Sequence, residues 1–194
     1  MASKQGKHNR ICAKHDNAGF SLVELIVTVA ILGVVIGFTA ISYSLVSRTN
    51  VKKAASYTDD AFALCRQKSM ASSGQWNVVI TENGVSVVKH SATPGVADES
   101  YSDSSIPTSV DVYVGQSKTS GLKQVGVDCD AVTISYNMLS GDIKDVIVSS
   151  GGSETSIMDT STSGSLYVIF RYKDKKECVV KLFYSTGKHT VEGM

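Results

Sequence analysis

A charge matters chemically when it stands where water cannot simply solvate it, and this 194-residue sequence holds one such charge in plain view. Glu24 lies four residues behind Phe20, inside the stretch Ala18-Gly19-Phe20-Ser21-Leu22-Val23-Glu24-Leu25-Ile26. Behind it, from Leu25 to Ser47, there is no charged residue and no proline. A charged side chain carried to a bilayer centre costs roughly 2.5–3.5 kcal/mol, less near the boundary, and in such a setting usually marks function. Taken out of water, a carboxylate needs a partner.

The other chemically capable residues are less suggestive. Cys65, Cys129 and Cys178 leave three alternative pairings, each with one thiol over, and spacing does not choose among them. A fourth cysteine, Cys12, precedes Gly19. Cys65 also reads as a small hydrophobe on an apolar helix face. No cysteine pair has zinc-ligand spacing, and Asp128-Cys129-Asp130 lacks the further oxygen ligands that calcium requires, so it reads as a solvated turn. His90 and His189 read as solvated strand residues. A nucleophile elbow, a phosphate-cradling glycine loop and a His-Glu-x-x-His pair are all missing. The expectation is a protein that is not an enzyme and carries no cofactor or metal.

The elements that must position Glu24 follow from hydropathy. At about 1.5 Å per residue the uncharged run can cross a hydrocarbon core of about 30 Å as a helix. The pattern then changes without breaking. Apolar or small residues recur at Val51, Ala54, Ala55, Thr58, Ala61, Phe62 and Cys65, with charges between them, which predicts an amphipathic continuation. Phe20 to Ser72 would be one helix about 80 Å long, ended by Gly74. Gly33 and Gly37 inside it read as close-packing positions.

Charge is distributed unevenly. Residues 1–19 hold Lys4, Lys7, Arg10 and Lys14 against Asp16, while the remainder has 15 basic and 17 acidic side chains. That balance favours a cytoplasmic N-terminus, diluted by Arg48, Lys52 and Lys53 beyond the run. It offers no nucleic-acid surface by bulk charge. An ordinary signal peptide cut near Ala40-Ile41-Ser42, or a permanent anchor, are the competing readings of the run. Glu24 at its mouth and the unbroken helical pattern past Ser42 weigh against the former.

Residues 74–194 read as strands and turns. Trp76–Thr81, the turn signal Asn83-Gly84 and Val85–Val88 predict a hairpin. Alternation returns at 110–114, 132–136 and 146–148, and a long final hairpin spans Leu166–Tyr172 and Cys178–Phe183, with a short strand from His189. Residues 91–108 and 149–164, rich in Ser, Asp and Gly, are predicted to be long polar loops. The expected fold is α+β: one long N-terminal helix packed against an antiparallel sheet, bent or doubled.

A glycine, a phenylalanine, a glutamate four residues on and then an uninterrupted apolar helix resemble the N-terminus of type IV prepilins and type II secretion pseudopilins. The resemblance covers residues 10–50. It implies a pilin-like fold divided into a leader (1–19), a transmembrane or filament-core helix (20–47), an amphipathic half (48–73) and a β head (74–194). It implies cleavage between Gly19 and Phe20 by a prepilin peptidase, methylation of the new Phe20 amine, and pairing of Glu24 with the Phe20 ammonium of a neighbouring subunit during assembly. An inner-membrane platform protein, an assembly ATPase, other pilin or pseudopilin subunits and the membrane are the implied partners. The location would be the cytoplasmic membrane, then a filament that spans the periplasm or reaches the cell surface. The last hairpin and its Ser185-Thr186-Gly187-Lys188 turn resemble the C-termini of minor pilins and pseudopilins. A different role, binding DNA, a surface or a secreted substrate at a filament tip, would fall to the loops 91–108 and 149–164.

Overall fold

Ser21 starts the only helix among the described residues: its hydroxyl accepts the Glu24 N–H at 3.2 Å and its carbonyl accepts the Leu25 N–H at 3.2 Å. The computed structural model describes residues 20–91, 98–158, 164–173 and 176–193, without the side chains of residues 39–44 and Lys176. Helix α1 runs over Leu22–Ala71. The chain divides into two compact units, residues 1–42 and 43–194.

In the first unit, the apolar side chains from Leu22 to Phe38 are exposed all around the helix. This stretch has 17 residues and covers about 25 Å at the helical rise, against a hydrocarbon core of about 30 Å. Among the described residues no helix is long and apolar enough to cross a membrane. Residues 39–44, toward the end of the expected 20–47 segment, lie outside the described side chains, and the whole leader 1–19 lies outside the described residues.

In the second unit α1 turns one stripe inward. Val51, Ala54, Ala55, Ala61, Phe62 and Cys65 are buried, and the buried Thr58 hydroxyl donates to the Ala54 carbonyl at 3.0 Å. Spacings of three and four residues place these positions on one face, so the head can cover them together. The helix ends where Ser72 bonds back to the Lys68 carbonyl through both its N–H and its hydroxyl.

Among the described residues eleven strands follow: β1 (Trp76–Thr81), β2 (Gly84–Lys89), β3 (Glu99–Ser105), β4 (Asp111–Gly115), β5 (Lys123–Gln124), β6 (Ala131–Tyr136), β7 (Ile143–Ser150), β8 (Ser153–Ser156), β9 (Ser165–Tyr172), β10 (Lys176–Phe183) and β11 (His189–Glu192). They form two sheets, ordered β3-β2-β1-β6-β7-β8 and β11-β10-β9-β4-β5. Every pairing between these strands is antiparallel. Alternate residues of both sheets, such as Val78, Ile134, Val146, Val168, Phe170 and Val180, join the α1 stripe in one core. The α+β class is as expected, and the sheet is doubled.

Three local expectations need correction. The first hairpin forms, but its register places Ile80 opposite Val85, which puts Glu82 and Asn83 in the turn instead of Asn83-Gly84. Gly84 serves a different need. It pairs with Ser105 of β3, and a Cβ there would stand 2.9 Å from the Ser104 carbonyl oxygen. The polar segments 91–108 and 149–164 are not loops throughout, because they contain β3 and β8. Both are outer strands of the six-stranded sheet and are largely exposed, so no alternation of apolar residues marks them. The remaining parts at 92–97 and 159–163 lie outside the described residues.

Candidate functional site

The local geometry around Glu24 is that of a helix start. Ser21 at the N-cap and Glu24 three residues later form the Ser-x-x-Glu arrangement of a capping box, and the Glu24 N–H to Ser21 Oγ bond is its first half. The Glu24 carboxylate therefore sits in the first turn, where the unsatisfied N–H groups and the helix dipole favour negative charge by about 0.3–1 kcal/mol. Phe20 precedes the cap and is 82% exposed, so its backbone nitrogen leads the helix with nothing packed over its ring. Gly19 lies outside the described residues. An anionic side chain and the chain's own Phe20 amine, if freed by cleavage, would then stand at the same end of a helix whose following turns are apolar on every side.

Residues 14–40 match the family described as the prokaryotic N-terminal methylation motif. The chain carries the signature of type IV prepilins and pseudopilins. That motif contains Gly19, Phe20 and Glu24, and it implies processing by a prepilin peptidase and assembly with other pilin subunits. Neither a curated protein nor a solved structure matches the chain.

The remaining candidate residues lie in the second unit, Cys65 on α1 and the others after it. Cys65, Cys129 and Cys178 are three buried free thiols, joined by no disulfide. Burial pushes all three thiols up, Cys65 to about 12. Asp128 and Asp130 fasten the backbone: Asp128 Oδ2 accepts the Gln124 N–H at 2.8 Å and Asp130 Oδ2 accepts the Gly151 N–H at 2.7 Å. No group of three or more metal-ligating side chains occurs among the described residues.

The two histidines part company. His90 is exposed beside Asp98, as expected of a solvated residue. His189 is not, and the expectation is corrected: only 16% of its side chain is exposed, Nε2 lies 3.2 Å from Asp59 Oδ1 on α1, and its ring tilts against Phe62. A strand four residues long gives no clue in its sequence that the helix covers it. The Ser21 cap was also missed, although Ser-x-x-Glu ahead of an apolar run is a signal that sequence alone supplies.

Proposed function

We propose that this chain is a filament subunit, a minor pilin or pseudopilin of a type IV pilus or type II secretion-like system, and that its role is structural and not enzymatic. One observation supports this most directly. Within the methylation motif, α1 presents exposed apolar side chains around its whole circumference from Leu22 to Phe38. A surface of that kind requires hydrocarbon or other apolar helices around it.

In this reading the subunit waits in the cytoplasmic membrane through residues 20–47. Prepilin peptidase cuts between Gly19 and Phe20 and methylates the Phe20 amine. A platform protein and a cytoplasmic ATPase then lift the subunit into a filament, where Glu24 leaves the membrane boundary and pairs with the Phe20 ammonium of a neighbour. A subunit one step out of register leaves both charges unpaired, and that is the selective step. The head, residues 74–194, faces outward.

The test is the intact mass and N-terminal residue of the full chain, expressed with and without a prepilin peptidase. The expected species begins at a methylated Phe20 and occurs only with the enzyme. An uncut chain in both cultures, or one cut near Ser42 in both, overturns the reading.

A second reading draws on the placement of β3 and β8 at the two outer edges of one sheet, both polar and exposed. Such edges present unpaired backbone groups to a ligand, so segments 91–108 and 149–164 would act as a binding module at a filament tip. Alanine at the exposed Glu154 and Thr155 separates the two roles: lost binding with intact filaments supports recognition, and lost filaments supports structure.

A further inference from the structure

Strand β5 is the outermost strand of the five-stranded sheet, and β8 is an outermost strand of the six-stranded one. Between the β4–β5 hairpin and Ile157, the residue that follows β8, lies a cavity of about 610 Å³. That volume falls within the range of about 300–1,000 Å³ typical of small-molecule sites. Val114 and Lys123 are cross-strand partners in β4 and β5, so their side chains lie on one face of the sheet. Val114 is buried and Ile157 is packed against the core, and these two make the apolar part of the lining.

The wall of the cavity is a loop, residues 116–122, that its own contacts hold in shape. Its neck is pinched: a Cβ on Gly115 would stand 3.0 Å from the Gly121 carbonyl oxygen and 3.0 Å from Leu122 Cδ2. Gly121 makes the turn at φ +66°, in the left-handed region that glycine adopts without strain. Gln116 Nε2 donates to the Ile157 carbonyl, which ties the loop to the chain leaving β8. Lys118 Nζ donates to Glu192 Oε2 at 3.4 Å, which ties it to β11. Tyr184 stands beside Gln116. It is buried, and its hydroxyl adjoins the Gln116 side chain without a hydrogen bond of full geometry among the described residues. That hydroxyl is an unused polar group at the rear of the wall.

The groups that face the cavity narrow what it can hold. Ser117 and Ser120 offer hydroxyls, Gln116 an amide and Lys123 one ammonium, and no carboxylate or ring stands among the described residues that line it. Asp128 and Asp130 approach the same thiol, Cys129, as Lys123 does, but their carboxylates accept the Gln124 and Gly151 N–H groups. A nucleobase finds nothing to stack on. A lipid chain would leave the hydroxyls, the amide and the ammonium unpaired. A phosphate calls for paired arginines or a helix N-terminus, and one lysine supplies only a point charge. What fits is a compact body with hydroxyls round its edge, an apolar C–H face and a single carboxylate.

We propose that this cavity binds an acidic saccharide through one hexuronic acid residue. The carboxylate lies on Lys123, the ring hydroxyls on Ser117, Ser120 and Gln116, and the C–H face on Val114 and Ile157. Because the loop is already tied at Ile157 and Glu192, little ordering entropy is lost when the sugar enters. Without an aromatic platform each contact is weak, with a Kd on the order of 1 mM, so firm attachment draws on many heads at once. The site lies inside one head. It therefore stands without the filament reading, which contributes only the number of copies.

The test is saturation-transfer NMR on the full chain, co-expressed with prepilin peptidase and held in a sugar-free detergent, with sodium D-glucuronate as the probe. Transfer to the glucuronate C–H protons is expected. Lys123→Met keeps the side-chain stem and removes the ammonium, so it should weaken glucuronate about tenfold and leave the weaker binding of D-glucose unchanged. Ser120→Phe, at an exposed position, fills the cavity and should abolish transfer to both sugars. Near-ultraviolet circular dichroism checks that each variant is folded. No transfer to glucuronate, an affinity unchanged in Lys123→Met, or binding retained in Ser120→Phe overturns the proposal. So does displacement of glucuronate by equimolar acetate or inorganic phosphate, which would make this a site for small anions alone. The N-terminal mass is read from the same sample. A processed chain that ignores glucuronate rejects the cavity and leaves the filament subunit standing, and an uncut chain that binds it does the reverse.

Discussion

Glu24→Gln separates two physical roles that coincide at one side chain. The structure shows a local role, in which Glu24 occupies the first turn of α1, bonded through its N–H to the Ser21 hydroxyl. Glutamine fits the same capping-box position, so the substitution forfeits only the charge's interaction with the helix start, about 0.3–1 kcal/mol, or at most about fivefold in an equilibrium. The proposed role is pairing with a neighbour's Phe20 ammonium. At 4 Å and an effective dielectric near 20 that attraction is about 4 kcal/mol, close to three powers of ten. The two magnitudes are far enough apart to decide. The assay co-expresses the variant with a tagged parental chain and a prepilin peptidase, then compares their ratio in sheared filaments and in membranes. Cleavage and methylation of Glu24→Gln should proceed as in the parent, and its share of the filaments should fall by tenfold or more. Glu24→Ala should behave the same way. Ser21→Ala loses the cap, worth about 1 kcal/mol, and should shift the ratio only about fivefold. A Glu24→Gln chain that enters filaments within fivefold of the parent would show the carboxylate to be a helix cap alone.

Other predictions concern the head. Phe62→Ala removes a fully buried ring that packs against His189, and at about 3–5 kcal/mol it should lower the melting temperature by about 6–20 °C, read by near-ultraviolet circular dichroism of the detergent-solubilised chain. Gly187→Ala puts a side chain at φ +59° and against the Gly141 carbonyl, so it should cost at least about 2 kcal/mol in denaturant titrations; a loss under half that would contradict the close approach. Burial holds Cys65 at about 12 and Tyr184 at about 12, above their ordinary 9.0 and 10.0. Below pH 9 both groups are neutral in folded and unfolded chains. Between about pH 9 and 12 the unfolded chain ionises first, so stability should fall steadily through that window. Thiol titration at pH 8 should find Cys65 unreactive until the chain is unfolded.

What the sequence discloses here depends on how sharply each segment is divided between water and core. Val51, Ala54, Thr58, Phe62 and Cys65 repeat at helical spacing because one face alone is buried, and β9 and β10 read clearly because apolar residues dominate a long hairpin. At β3 and β8 there is no such division. Ser, Asp, Glu and Thr face water on most sides, and these strands exist because a neighbour's backbone is there to pair with. Hydropathy does not see that kind of order. The Asn83-Gly84 signal was real, but the glycine was needed for the approach of β3 and not for the turn. His189 was misplaced for a similar reason: its burial comes from Asp59 and Phe62, over 120 residues earlier in the chain. The candidate site itself was legible, since its motif is local.

The two halves of α1 pose different energetic problems, and that difference says where selectivity in assembly must come from. The second half is covered by its own head, so burying its stripe stabilises the subunit wherever it is. The apolar residues from Leu22 to Phe38 are exposed. In the filament reading they pass from lipid to the flanks of other helices, and lipid tails are as apolar as leucine, so the hydrophobic effect contributes little to the exchange. Whatever favours the filament must then be polar or steric. In that reading the pairing of Glu24 with a neighbour's amine is the polar term that changes on assembly. If it is removed, by Glu24→Gln, the processed subunit should remain in the membrane with its head folded and its melting temperature unchanged. Filaments of ordinary yield from that variant would mean that close packing at Gly33 and Gly37 carries assembly without it.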